Sequence, residues 1–120
     1  MRQDDALLLD MLIAARKIQQ FTASMTQDDF NQHEMVQSAV IREIQVIGEA
    51  ARLISAATKE DHTAIAWQAI AGMRNRVIHE YFNIDLDILW DTITNDIPPL
   101  IEQLAGLVPP EETRNNDSRS

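Results

Sequence analysis

The residue types best suited to chemistry lie close together in one part of the chain. Arg74 and Arg76 are the only lysines or arginines between Lys59 and Arg114, and His79 follows shortly after them. A guanidinium binds phosphate through paired hydrogen bonds, and an imidazole takes or gives a proton near neutral pH. This spacing predicts a compact basic site for a phosphate-bearing ligand.

The remainder of the chain is acidic. Ten lysines and arginines stand against 19 aspartates and glutamates, which gives a formal net charge of -9. Long-range electrostatics therefore repels a polyanion from most of the surface. Any nucleic-acid chemistry must depend on the local basic site.

Length and composition favour one all-α domain. The 120 residues are 45% hydrophobic, enough for a single core, and three glycines and four prolines are too few for the frequent turns of an all-β protein. Without cysteine, the chain has no disulfide and no thiolate site, which agrees with a cytoplasmic location. No apolar run approaches the length of a membrane span, and the acidic N-terminus does not fit a signal peptide.

The apolar periodicity predicts an up-down four-helix bundle with a short extra C-terminal helix. The expected helices are helix one over 4–21, a long central helix that follows a capping box at Thr26 and Asp29 and ends near Ile54, helix three over 65–82, helix four from Asp85 to a kink at Pro98-Pro99, and a short helix over 100–107. Residues 58–63 are predicted to be a connection. We expect one domain over 1–108 and a disordered tail over 109–120, because the tail has no apolar residue to bury.

Arg74 falls inside the apolar stripe of the predicted third helix. A charged guanidinium there is costly unless an acid pairs with it or it lines a cleft. Two acids of the central helix could pair with it: Glu43 lies within the apolar arc and has the better geometric claim, whereas Glu49 lies on the polar margin. Either one would leave guanidinium donors free for a phosphate.

An arginine, four intervening residues, a histidine, one residue and a tyrosine form a recognisable motif, filled here by Arg74, His79 and Tyr81, with Asn75 after the arginine. In this motif, and in the flanking segments 47–50 and 67–73, the chain resembles the HepT-type toxins of the HEPN superfamily. The resemblance covers nearly all of the chain that we expect to be ordered. It implies a HEPN-like homodimer in which two motif helices face each other across a two-fold axis.

The resemblance also implies a toxin of a type II/VII-like toxin-antitoxin pair, acting as a metal-independent endoribonuclease without a cofactor. RNA carries its own nucleophile, the 2′-hydroxyl, so the protein needs only proton transfer, suited to His79, and charge neutralisation on the phosphorane, suited to Arg74. Asn75 could fix the His79 tautomer or bind the phosphate, and Arg76 could steer RNA. His33 and His62 have no partner at ligand spacing, so no metal is assigned.

In the resembling family, the usual partner is a minimal nucleotidyltransferase that acts as antitoxin and transfers AMP to the motif tyrosine. Tyr81 is the matching acceptor here. The aspartates and the glutamate between Asp85 and Glu102 are expected to form a solvated acidic face, or the face that docks a basic antitoxin.

Two other interpretations stay open at this point. One is a non-catalytic helical module that binds a nucleotide or the nucleotidyltransferase without cutting RNA. The other is a four-helix scaffold in which the motif is accidental. The intact pair of Arg74 and His79 argues against the non-catalytic module.

Overall fold

The computed structural model describes residues 2–79 and 83–108. Over these residues the helices are α1 (Arg2–Thr22), α2 (Gln27–Asn31), α3 (Glu34–Leu53), α4 (Ala56–Asp61), α5 (Trp67–Ala71), α6 (Met73–Val77), α7 (Leu86–Asp91) and α8 (Ile97–Ala105), with a π-helical turn at Thr92–Asp96 between the last two. The predicted C-terminal tail lies outside the described residues.

Helix packing confirms the all-α prediction. Helix α1 packs along α3 and against α8, and α3 also packs against α5 and α6, so the short helices complete a bundle around the two long ones. The core between them is mostly aliphatic, with Ile18, Ile44, Ile47 and Leu104 fully buried. Across the described ranges, no helix combines the length and the apolarity needed to cross a membrane.

The segment before the central helix forms a helix of its own. Thr26 and Asp29 make the predicted capping box, in which each side chain accepts from the other residue's backbone N–H, at 3.1 Å and 3.0 Å. This box starts α2, which ends at Asn31, and α3 begins separately at Glu34. The predicted capping residues are confirmed, but the helix that they start is short.

The predicted connection over 58–63 is wrong for most of its length. Helix α4 runs over Ala56–Asp61, and the Ser55 hydroxyl caps it by accepting from the Thr58 N–H at 3.3 Å. The polar composition of this segment gives no apolar periodicity, so the sequence does not predict the helix. Its N-cap and its hydrogen bonds to Asp4 stabilise it, and burial of apolar side chains does not.

The predicted third helix over 65–82 is confirmed only in part, as two short helices that end before His79. Helix α5 ends at Ala71, α6 ends at Val77, and Ile78 has extended backbone angles. Ile78 forms an antiparallel bridge with Ile84, so hydrogen bonds to a later segment replace the next helical turn. His79 therefore does not occupy the helical position that the periodicity predicted.

The proline pair does not restart the chain as a separate helix at Leu100. Helix α8 begins at Ile97 and takes Pro98 and Pro99 into its first turn, where a missing N–H donor costs nothing. The backbone accommodates the prolines in the π-helical turn before α8, where the Ile97 N–H donates to the Thr92 carbonyl.

Asp4 links the first helix to the start of α4. Its side chain is only 2% exposed and accepts hydrogen bonds from the Ser55 hydroxyl at 2.6 Å, the Thr58 hydroxyl at 2.5 Å and the Ser55 N–H at 3.1 Å. The Ser55 hydroxyl bond, followed by the Thr58 bond, lowers the pKa of Asp4 below its ordinary value of 3.8. The ionised carboxylate thus stabilises the folded state.

We expect Asp4→Asn to lower the free energy of unfolding at neutral pH by about 2 kcal/mol, because it removes charged hydrogen bonds. A depressed folded-state pKa contributes stability above the unfolded value, and that stability is lost as pH falls through the folded value. The difference between wild type and variant should therefore be constant at neutral pH and shrink below about pH 4. Urea unfolding across this range measures it, and a difference independent of pH would contradict the role of the charge.

Candidate active site

A cleft lies between the middle of α3 and the α5–α6 segment. Its volume is about 400 Å³, and its walls are formed by Gln45, Gly48, Glu49, Arg52, Ala71, Arg74 and Asn75. The two backbones approach closely at Gly48, where an added Cβ would lie 3.2 Å from the Ala71 carbonyl oxygen. Glycine at this position lets α5 and α6 come near enough for Arg74 to share a cleft with α3 side chains.

Arg74 is half-buried and Asn75 is exposed, so both present donors to this cleft. Opposite them on α3, the Arg52 guanidinium donates to both carboxylate oxygens of Glu49. Two guanidinium groups and one carboxylate thus line the cleft, a local excess of positive charge in an acidic protein. The arrangement can bind a phosphate.

The structure places Glu49, rather than Glu43, in the cleft with Arg74. Glu43 is 5% exposed, and its carboxylate lies 3.7 Å from the Arg42 guanidinium. Among the described residues, no ion pair joins Arg74 to either glutamate. The expectation that Glu43 holds Arg74 as a buried charge is therefore wrong. Arg74 lines an open cleft, which is the alternative that the sequence analysis had left open.

Sequence reasoning missed Arg52. Its signal was present, because Gln45, Gly48, Glu49 and Arg52 recur at three- and four-residue spacing and so share one side of α3. A glycine among polar residues on one helix face indicates that another backbone approaches there.

Arg76 points away from this cleft. Its guanidinium lies 4.0 Å from an Asp96 carboxylate oxygen, and both side chains are about half exposed. They line a different cavity of about 230 Å³, between α5–α6 and α8. Arg76 is therefore a surface charge outside the cleft that Arg74 lines.

His79 lies just beyond α6, in the segment paired with the residues before α7. Its N–H donates to the Asn83 carbonyl at 2.8 Å, and its side chain is 50% exposed. The ring opens on a cavity of about 340 Å³ that it shares with Asn83 and Asp85. An exposed imidazole is available to exchange a proton with a ligand.

Arg74 and His79 thus face two different cavities of one chain. Asn75 and Glu49 lie with Arg74, whereas His79 lies with Asp85. Tyr81 falls within 80–82, outside the described residues. In the ranges that are described, no three histidine, aspartate or glutamate side chains cluster so that they could hold a metal ion.

Comparison with known proteins places these residues in a family. A family model described as Ribonuclease HepT-like matches residues 11–107. The chain belongs to the HepT-like ribonuclease family. That match includes every candidate residue of both cavities, and it supports an RNA-cleaving activity.

Individual relatives agree. The chain is 40% identical over 93 residues to a protein of Thermococcus cleftensis named a probable ribonuclease HepT, covering 78% of this chain and 84% of the relative. It is 34% identical over 103 residues to a Methanocaldococcus jannaschii protein described as a candidate RNase, MJ1380, covering 86% and 94%. No solved structure gives a significant match.

One relative is much longer than this chain. It is a Methanocaldococcus jannaschii protein described as a gamma-glutamylcyclotransferase and candidate RNase, MJ0434, with 32% identity over 118 residues. The match covers 98% of this chain but only 53% of that relative, so the chain spans about half its length.

Proposed function

We propose that this HepT-like chain is the toxin of a toxin-antitoxin pair and a metal-independent endoribonuclease. The observation that carries the proposal is the exposed His79 ring, five positions after the arginine that lines the cleft between α3 and α5–α6, in a member of a ribonuclease family. The RNA 2′-oxygen attacks the adjacent phosphorus, and the bond from phosphorus to the 5′-oxygen breaks. The products are a 2′,3′-cyclic phosphate and a 5′-hydroxyl.

Two groups of the chain have roles in this reaction. The His79 ring takes the proton of the 2′-hydroxyl or supplies one to the leaving 5′-oxygen. The Arg74 guanidinium binds the phosphorane oxygens and stabilises the charge that develops on them. Asn75 adds a neutral donor on the same wall of the cleft, and Arg76 attracts RNA from outside it.

We propose that the active form is a homodimer in which Arg74 of one protomer acts with His79 of the other. Two observations support this arrangement: the two residues face different cavities of one chain, and a single cleft offers little positive charge against a net charge of -9. A two-fold axis would bring both pairs into one groove.

An apolar groove beside the cleft suits the second copy. It runs between α1 and α3, is lined by Leu7, Val46, Ala50 and Leu53, and shares Glu49 with the cleft. Leu53 is 64% exposed. A second protomer that packs over Leu53 would also lie beside the cleft that Arg74 lines. The groove shared by both protomers requires this placement.

We further propose a cognate minimal nucleotidyltransferase as antitoxin, which silences the toxin by AMP transfer to Tyr81. This part rests on the motif spacing of Arg74, His79 and Tyr81. The acidic residues of α7 and the π-helical turn offer it a complementary surface if that partner is basic.

The test is cleavage of a defined RNA by the purified chain in excess EDTA. We expect cutting at full rate, with ends that carry a 2′,3′-cyclic phosphate, because the nucleophile belongs to the RNA and proton transfer needs no metal. Activity that appears only on adding Mg²⁺ would refute the metal-independent mechanism. RNA binding without cleavage under all conditions would favour the non-catalytic module instead.

A further inference from the structure

The short antiparallel pairing after α6 brings Asp85 next to His79. The Asp85 N–H donates to the Val77 carbonyl at 2.8 Å, and the His79 N–H donates to the Asn83 carbonyl at 2.8 Å, on either side of the Ile78–Ile84 bridge. Asn83 lies opposite His79 in this pairing. Side chains two residues apart on an extended strand, such as those of Asn83 and Asp85, point to the same face. His79 and Asp85 are therefore diagonal neighbours on one face of the pairing.

Each carboxylate oxygen of Asp85 has its own partner. Oδ1 accepts from the Ile88 N–H at 3.1 Å and so caps α7. Oδ2 lies 3.8 Å from Nε2 of His79. The cap and the paired backbone hold the carboxylate in place, and 3.8 Å is an ion-pair distance rather than a hydrogen bond.

We propose that Asp85 is a positioning residue for RNA cleavage, which orients the His79 ring through its fixed carboxylate. The proposal rests on the proposed function, since it assigns a partner to the proton-transfer group. In the sequence, Asp85 was only one member of an acidic face. The structure sets it apart from that face because its second oxygen is turned towards His79.

The other acid of this cavity is placed differently. Asp87 also lines the cavity, but its Oδ1 accepts from the Gln27 side-chain amide at 2.8 Å, which ties it to α2. Among the described residues, Asp85 and Asp87 are the charged groups that line the His79 cavity, and only Asp85 lies within ion-pair distance of the ring. Asp87 is thus a natural control for Asp85.

The decisive variant is Asp85→Asn. Asparagine caps helices as well as aspartate does, so α7 and the thermal midpoint should be unchanged while the charge beside His79 is lost. Proton transfer contributes roughly 100- to 10,000-fold to such reactions, and we expect the loss of its orienting charge to lower kcat about ten-fold, with KM within about two-fold of wild type.

Two more variants complete the experiment. Asp85→Ser, which also supplies an N-cap oxygen, should behave like Asp85→Asn. Asp87→Asn removes the same charge from the same cavity wall and should leave kcat and KM as in wild type. Equal effects of Asp85→Asn and Asp87→Asn, or an unchanged kcat in Asp85→Asn, would overturn the proposal.

A second readout does not depend on RNA cleavage. In NMR spectra of the His79 ring, Asp85→Asn should shift the ring signals and Asp87→Asn should leave them in place. If the wild-type chain cuts no RNA, the proposed function fails by itself. The contact between Asp85 and the ring is then supported when the ring signals respond to Asp85→Asn alone, and refuted when they respond equally to both variants.

Discussion

We expect His79→Ala to abolish RNA cleavage, with a loss of at least about 100-fold, and to leave the thermal midpoint within about 3 °C of wild type. The ring is half exposed, and its place in the fold depends on the backbone N–H, which alanine keeps. Surface substitutions of this kind change stability little. Initial rates on a fluorescent RNA together with a thermal melt measure both quantities.

Arg74→Ala should give the same pattern. If a buried glutamate held Arg74, this substitution would strand that charge and cost roughly several kcal/mol of stability. In the structure, Glu49 pairs with Arg52 and Glu43 lies near Arg42, so no such charge is stranded. The expected loss of stability is below about 1 kcal/mol, whereas activity falls with the loss of charge stabilisation.

His33→Ala is the matched control for His79→Ala. His33 is exposed, precedes α3 and makes no side-chain capping hydrogen bond. Its removal should leave cleavage intact. A comparable loss of activity in His33→Ala would mean that the assay responds to general damage rather than to the missing proton-transfer group.

Mixing the two inactive variants tests whether the site is shared. A heterodimer of Arg74→Ala and His79→Ala protomers retains one site with Arg74 from one chain and His79 from the other. Random exchange makes half of the dimers mixed, each with one of two sites intact, so about one quarter of wild-type activity should return. No recovery after verified exchange would show that both groups come from the same protomer.

The sequence predicted those elements whose signals are local. The periodicity of α1, the capping residue Thr26 and the predicted helix start at Asp85 correspond to helices in the structure, because each depends on neighbours within one or two turns. The third helix ends earlier than predicted for the opposite reason. Its end is set by two backbone hydrogen bonds: the His79 N–H donates to the Asn83 carbonyl, and the Val77 carbonyl accepts from the Asp85 N–H. The helical periodicity of a sequence does not reveal such a pairing.

The candidate site divides in the same way. Residue spacing identified Arg74, Asn75 and His79, but their surroundings depend on which surfaces meet. Arg52 lines the same cleft as Arg74 only because α5 approaches α3 at Gly48. Asp85 became a neighbour of His79 only through the pairing that replaced the predicted helical turn.

The second large effect concerns Tyr81, which a cognate nucleotidyltransferase should modify with AMP. Tyr81 follows His79 by two residues, at most about 7 Å of chain, so an attached phosphodiester places negative charge and bulk near the proton-transfer group. The modified protein should have lost RNA cleavage. Coexpression with the genomic neighbour, followed by intact mass measurement, should show a gain of about 329 Da per AMP.

Tyr81→Phe distinguishes the role of the tyrosine hydroxyl as AMP acceptor from the role of its aromatic ring. The substitution keeps the aromatic ring and removes the hydroxyl that would bond to the AMP phosphorus. It should therefore block the mass gain while retaining at least part of the RNA cleavage, and the antitoxin should no longer silence it. A Tyr81→Phe chain that still gains the full adduct, or an adduct-bearing wild type that cuts RNA as fast as the bare protein, would contradict control through this residue.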